Sequence, residues 1–168
     1  MTTAKDFLDE IKQEAESTRK LLKIIPLEKG DWKPHEKSMT LARLAGHIAE
    51  NSLSLAITIE DDVVDLSTFE FKPYIPKNTD ELMSYFEEQE ERAYKALSNC
   101  SDKELDKKWI MKSGETVYFE LPKRQVIRGL CINHMIHHRG QLTVYLRLLG
   151  IPLPGIYGPS ADEEAKIE

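Results

Sequence analysis

The sequence predicts an all-α fold: a single-domain four-helix bundle over residues 1–168, with long inter-helix connections and a short hairpin or extended crossing before the last helix. Three observations predict it. Four stretches carry apolar residues at the three-and-four spacing that lines one face of an amphipathic helix. Nowhere do strand and helix patterns alternate, and no segment repeats. At 168 residues the chain is long enough to bury a core without disulfides or a structural metal.

The first stripe is Phe7, Leu8, Ile11, Ala15, Thr18, Leu21, Leu22 and Ile25, and Pro26 ends it. "PLEKGDWKPHEKS" reads as a loop, rich in Gly, Pro and charge. Ser38 or Thr40 then caps "TLARLAGHIAENSLSLAITIE", whose stripe is Leu41, Leu44, Ala45, Ile48, Leu55 and Ile59, with His47 beside it. Residues 61–77 are acidic and irregular. Asn78 with Glu81 three residues on resembles a capping box and opens a third helix along Leu82, Phe86, Gln89, Ala93 and Leu97, with "EEQEER" as its solvated side. "KKWIMKSGETVYFELPK" turns β-branched and aromatic around Ser113-Gly114, the signature of a hairpin or extended crossing. The fourth helix runs from Pro122 at its first turn to Gly150 just past its last, and Pro152 lies beyond. The long second loop and the hairpin segment point to a topology other than simple up-and-down.

The formal charge of −6, with acids and bases intermixed, excludes the clustered basic face of a nucleic-acid binder. Cys100 and Cys131 are isolated, so neither a disulfide scaffold nor a four-cysteine zinc site fits, and a reducing cytoplasm is the expected location. The start "MTTAKDFLDEIKQE" has acids from Asp6 onward, and no window approaches the roughly 18 uncharged apolar residues of a membrane span. No membrane association is expected.

Three of the five histidines fall in "NHMIHHRGQLT". On a helix His134 and His138 are about 40° apart and one turn removed, so their rings can converge on one point, whereas His137 lies about 60° from His134 on the other side. The pair sits in the core-facing stripe Ile127, Leu130, Cys131, His134, His138, Gln141, Leu142 and Tyr145, where an imidazole needs polar partners. His47, mid-helix beside the second stripe, is the third candidate. Three imidazoles from two helices would leave a metal with open positions, as in catalytic rather than structural sites. The residues alone leave two readings open, metal ligands or hydrogen-bonded core histidines. A di-iron carboxylate centre is excluded, because Leu44, Cys131 and Met135 stand three residues before the histidines where glutamate is needed. The zinc-protease pattern fails because Met135, not glutamate, follows His134.

"HMIHHRGQL", followed by "LLGIPLPGIYGPSADE" and preceded upstream by "LARLAGHIAE", resembles the DinB-like superfamily of bacterial proteins over most of the chain. The resemblance implies a four-helix bundle, commonly a homodimer, with a divalent metal held by His47 from the second helix and His134 and His138 from the last. The metal is expected to be zinc, nickel or iron, all of which suit imidazole. Characterised relatives include S-transferases and isomerases that use low-molecular-weight thiols such as bacillithiol, mycothiol or glutathione, and many members have no known reaction. The family name refers to DNA-damage induction and implies no DNA binding.

The leading functional expectation is therefore a metal-dependent transferase that activates a small thiol for attack on an electrophilic small molecule. The alternatives are a hydrolase using hydroxide at the same metal and a non-catalytic metal-binding stress protein. Around the histidines, Gln141 is placed to hydrogen-bond a ligand ring or to pack in the core. Glu50 could orient a water or a histidine, or form a helix-face salt bridge. Arg139, about 100° beyond His138, is expected to pair with a carboxylate on a neighbouring helix, and Cys131 to be plain core. His35 and His137 are expected on the surface or at an interface, and Trp32 and Tyr157 to pin loops to the bundle.

Overall fold

The computed structural model describes residues 2–163. Helix α1 (Ala4–Leu22) begins at a capping box in which Thr3 and Asp6 satisfy each other's backbone N–H groups. It ends before Pro26, and Ile25 is buried just beyond it. Of the two candidate caps for helix α2 (Leu41–Glu60), Thr40 is the one used, accepting the Arg43 N–H at 3.2 Å. Asn78 caps α3 (Thr79–Ser98) by accepting the Glu81 N–H at 2.8 Å, but the return arm differs from a capping box: Glu81 Oε2 accepts from Lys77 N–H at 3.2 Å. A one-turn helix, α4 (Asp102–Leu105), capped by Ser101, was not expected from the sequence.

Around the bundle the four long helices follow the order α1, α3, α2, α6, where α6 is His134–Leu148, so that consecutive α1 and α2 sit across a diagonal rather than side by side. That arrangement gives the residues of 23–40 a long way to travel and explains why a loop of that length is present. Leu21, Leu41, Leu44, Leu82 and Leu142, all at most 1% exposed, meet at one end of the interior. Phe7, Leu55, Leu97 and Ile127 meet at the other. Each such side chain contributes about 1.5–3 kcal/mol by leaving water.

The all-α expectation needs correction. A small mixed sheet stands beside the bundle: β2 (Lys108–Ser113) and β3 (Thr116–Pro122) form the hairpin, turning at Gly114 with φ +56°, and β1 (Val63–Asp65) pairs parallel to β2. The hairpin was legible; β1 was not, because three residues in an acidic span carry no periodic signal. Trp109 of β2 packs with Val64 and Val126 to seal the sheet against the helices.

The last helical run is not uniform. It opens as α5 (Lys123–Val126), passes through a π-helical segment, Ile127–Asn133, and becomes α-helical again at His134. π-turns inside helices occur frequently at functional sites, since the extra residue per turn re-aims side chains. A second correction concerns "EEQEER": Gln89 is buried on the expected face, but Glu90, expected on the solvated side, is also buried at 5% exposure and bonds Ser52 of α2. Among the described residues no helix is long and apolar enough to cross a membrane.

Candidate metal centre

His47 projects from the middle of α2, and His134 and His138 from the first two turns of α6. The expectation that these three would meet can be followed atom by atom: one ring nitrogen from each lies within 4.8 Å of the other two. The ring centroids of His47 and His138 are 4.4 Å apart, those of His134 and His138 4.4 Å, and those of His47 and His134 5.1 Å, all near perpendicular. His47 Nε2 faces His134 Nε2 at 2.9 Å. Only one proton can occupy that gap, so at least one of the two nitrogens presents a bare lone pair to the other ring.

The outer nitrogens have fixed partners. His138 Nδ1 lies 2.7 Å from the Gln141 amide oxygen, an acceptor, so Nδ1 carries the proton and Nε2 is the free lone pair. Gln141 is exposed and is therefore a ring-orienting group rather than core packing. His47 Nδ1 has two neighbours, Glu50 Oε2 at 3.5 Å and Arg43 Nη2 at 3.4 Å. They demand opposite protonation of that atom. With Nε2 turned to the other rings, Nδ1 holds the proton and Glu50 is the partner. Arg43 then belongs to Glu50, whose Oε2 is 2.9 Å from Arg43 Nη1.

Burial governs the charge of the cluster. Desolvation, followed by repulsion from His47 and His137, lowers the His134 pKa below its ordinary 6.5. Desolvation drives His138 further, to about 4, with the other three histidines adding to it and the Gln141 bond opposing. These two rings are neutral at pH 7, the form in which imidazole donates to a metal. For Glu50, burial raises the pKa, but bonds from His47, the Tyr74 N–H and Arg43 outweigh it and hold the carboxyl below its usual value.

The donor set fits a divalent ion: imidazoles from two helices, converging ring nitrogens, outer nitrogens held by an amide oxygen and a carboxylate. Cys131 takes no part. It is 3% exposed and lies 3.9 Å from Thr58 Oγ1, and burial pushes its thiol to about 12.

Other expected roles resolve individually. Arg139 pairs with the carboxylate of Glu14 on α1. His35 and His137 are exposed, His137 with its ring centroid 5.0 Å from that of His138. Tyr157 bonds Glu14 and Arg139, and Trp32 meets Tyr145 edge-on at 5.6 Å, so both pin loops.

Sequence reasoning missed the strap. Residues 66–77 cross α2 beside His47, with Arg43 donating to Tyr74 O at 3.4 Å and the Tyr74 N–H donating to Glu50. Tyr74 stacks on Tyr85 at 4.0 Å. A Cβ on Gly46 would lie 2.1 Å from Tyr74 O, so only glycine permits this crossing. A glycine in the interior of a strong helix pattern, next to His47, was the available signal. The strap carries Phe69 and Phe71 to the edge of the histidine cluster.

The DinB family model matches residues 1–168. A curated relative, the uncharacterized protein YrdA of Bacillus subtilis (strain 168), is 30% identical over 168 residues, spanning 98% of this chain and 93% of its own. Among solved structures, a DinB-like protein from Bacillus cereus ATCC 10987 has a TM-score of 0.71 at 26% identity, covering 93% of this chain and 99% of that one. A second, the DinB-like YjoA of Bacillus subtilis, has a TM-score of 0.71 at 20% identity over 92% and 99%, a likeness of fold. With a match along its whole length and a relative of that similarity, the chain belongs to the DinB family.

Proposed function

We propose that His47, His134 and His138 hold one divalent ion, zinc, nickel or iron, and that the protein uses it to transfer a low-molecular-weight thiol to an electrophilic small molecule. A divalent ion on three neutral imidazoles keeps its double positive charge and open positions, and so favours the deprotonated form of a thiol or water bound beside it.

The observation that carries the choice of thiol over water is the occupation of Glu50. It is the one carboxylate lining the cavity at the histidines, with one oxygen accepting from the Tyr74 N–H and the other ion-paired with Arg43 Nη1 at 2.9 Å, though without a completed hydrogen bond. With no free carboxylate there to take its proton, as the glutamate of a zinc peptidase does, a water starting from a pKa of about 15.7 depends on the ion alone for its deprotonation. A thiol, with an ordinary pKa of about 8.5, needs far less help. Within this reading His138 and His47 keep their Nε2 atoms aimed inward because Gln141 and Glu50 hold the opposite nitrogens. In the transfer, a sulfur–carbon bond forms and the carbon–leaving-group bond breaks. The leaving group departs with the bonding pair, and the thiol proton passes to solvent.

The test is conjugation of 1-chloro-2,4-dinitrobenzene with bacillithiol, mycothiol or glutathione, releasing chloride. The expected result is acceleration with metal-replete protein and none with metal-free protein or His138→Ala. Absence of acceleration with every thiol defeats the reading, and turnover of aryl esters without thiol assigns hydrolysis instead. A homodimer and a small-molecule substrate, with no nucleic acid or membrane partner, complete the proposal; sedimentation equilibrium checks the first.

A further inference from the structure

Beside the histidine cluster a groove of about 330 Å³ opens between α2, the π-helical segment and the sheet. Val64, Trp109 and Val126, all at most 8% exposed, form its floor, and Leu66, Phe69, Phe71 and Leu130, 40% exposed or more, its rim. None of its lining residues is Asp, Glu, Lys or Arg, on a chain in which charged residues are 31% of the total. Its polar groups, Ser54, Thr58 and His134, come from α2 and the start of α6. His134, Ser54, Ile57, Phe69, Phe71 and Leu130 also line the smaller cavity that holds His47, so the groove and the centre are continuous.

We infer that this groove is the binding site for the electrophile: an uncharged small molecule whose apolar or aromatic body lies on Trp109 between Phe71 and Leu130 and whose reactive carbon reaches the histidine end. The inference rests on the metal-thiol reading for the identity of the end that reacts, and on the groove alone for the chemistry of what binds. Its volume lies within the 300–1,000 Å³ of small-molecule pockets, which are largely apolar with a few polar groups at one place. Absence of ionised lining excludes a charged body, because a buried charge without a partner is costly. The π segment links the two halves. It leaves Leu130 40% exposed on the rim and Cys131 buried, and ends where His134 begins. Four large apolar side chains held at a rim around a concave floor are better explained by an occupant than by chance exposure.

The probe is N-phenyl-1-naphthylamine, neutral and fluorescent when removed from water, titrated into the full chain both metal-free and zinc-loaded. One saturable site per chain is expected in both forms. Leu130→Glu, which puts a charge on the rim, is expected to weaken binding at least tenfold with zinc content unchanged, and Phe71→Ser, on the strap, to weaken it several-fold should Leu130→Glu not fold. His47→Ala separates the two readings: it is expected to lose zinc and keep the probe. Zinc retained by His47→Ala with the probe still excluded by Leu130→Glu would defeat the metal reading and leave the groove standing. Probe binding that is unsaturable, or unchanged in both rim variants, overturns the inference. So does a dimer that Leu130→Glu converts to monomer, for the groove is then an interface between copies.

Discussion

His138 and Arg139 are neighbours on α6, 8% and 2% exposed, and they look out on two polar clusters of opposite character. Arg139 is saturated. Its Nη1 donates to Glu14 O at 2.9 Å and Thr18 Oγ1 at 3.2 Å, and its Nη2 to the Glu14 carboxylate and the Tyr157 hydroxyl. The rings of His47, His134 and His138 meet edge to face; Glu50 and Gln141 hold the outer nitrogens of His47 and His138, and the inner nitrogens face one another. Both clusters bridge helices, the first buried and the second half-buried. The difference is that the first satisfies itself and the second leaves converging nitrogens that could hold an ion. A buried polar group with every bond made is structure; one left open at atoms that converge is a site.

The largest effect that comparison predicts falls on the closed cluster. Arg139→Met leaves the Glu14 carboxylate buried without its cation, which costs about 3–5 kcal/mol. Urea unfolding measures it, and metal bound per folded chain is expected to stay at the parental level. Adding Glu14→Gln removes the stranded charge and is expected to recover a substantial part of the loss. If Arg139→Met costs under about 1 kcal/mol, the cluster is not what ties α6, α1 and the C-terminal segment together.

The open cluster predicts the reverse pattern. His47→Ala deletes a ligand while leaving no buried charge, so the metal-free protein is expected to unfold within about 1 kcal/mol of the parent. Metal separates them. An ion that binds only the folded chain adds about 2.7 kcal/mol at a hundredfold excess over its Kd, and this increment is expected in the parent and absent in His47→Ala. Thermal unfolding with and without zinc, with elemental analysis of both proteins, gives the answer. Equal stabilisation of both proteins would show that the ion sits elsewhere.

What could be read from the sequence follows the same division. His134 and His138 were legible because four-residue spacing on a helix fixes their relative direction without tertiary information. His47 required a partner 87 residues away: its place in mid-helix made it a candidate, and the family resemblance paired it. The four long helices followed from periodicity, and the Ser113-Gly114 hairpin from turn chemistry. By contrast β1, the strap over Gly46 and the inward turn of Glu90 depend on contacts between distant elements. Glu90 shows why: the other acids of its run, Glu87, Glu88 and Glu91, are solvated, and nothing local marks the one that meets Ser52 of α2. The π segment was equally hidden, since its residues keep an ordinary helical stripe.

Acid sharpens the comparison further. The folded pKa of His138 is about 4 and that of His134 is lowered, against an ordinary 6.5 once unfolded. Between those values the unfolded chain binds more protons than the folded one, so stability rises with pH. The metal-free protein is therefore expected to hold its full histidine contribution above pH 6.5 and to lose it progressively as pH falls toward 4. Denaturation midpoints at pH 7, 5.5 and 4.5 test the sign. His138→Asn is expected to flatten the profile, and a variant that keeps the parental slope would remove His138 as its source.

The smallest effect discriminates best, because it touches neither a ligand nor the core. Gln141 is exposed, and its contribution to the centre is to accept the His138 Nδ1–H. Gln141→Ala frees that ring to rotate and to adopt the other tautomer, which weakens metal binding about tenfold, or about 1.4 kcal/mol. Gln141→Glu keeps an acceptor in place and is expected to bind at least as tightly as the parent. Folding stability without metal should be the same in all three, since an exposed side chain on the outside of α6 carries little packing. A competition titration against a zinc-sensitive dye reads the affinities. If alanine and glutamate behave alike, the amide does not set the ring, and the orientation of His138 must come from the walls of the bundle alone.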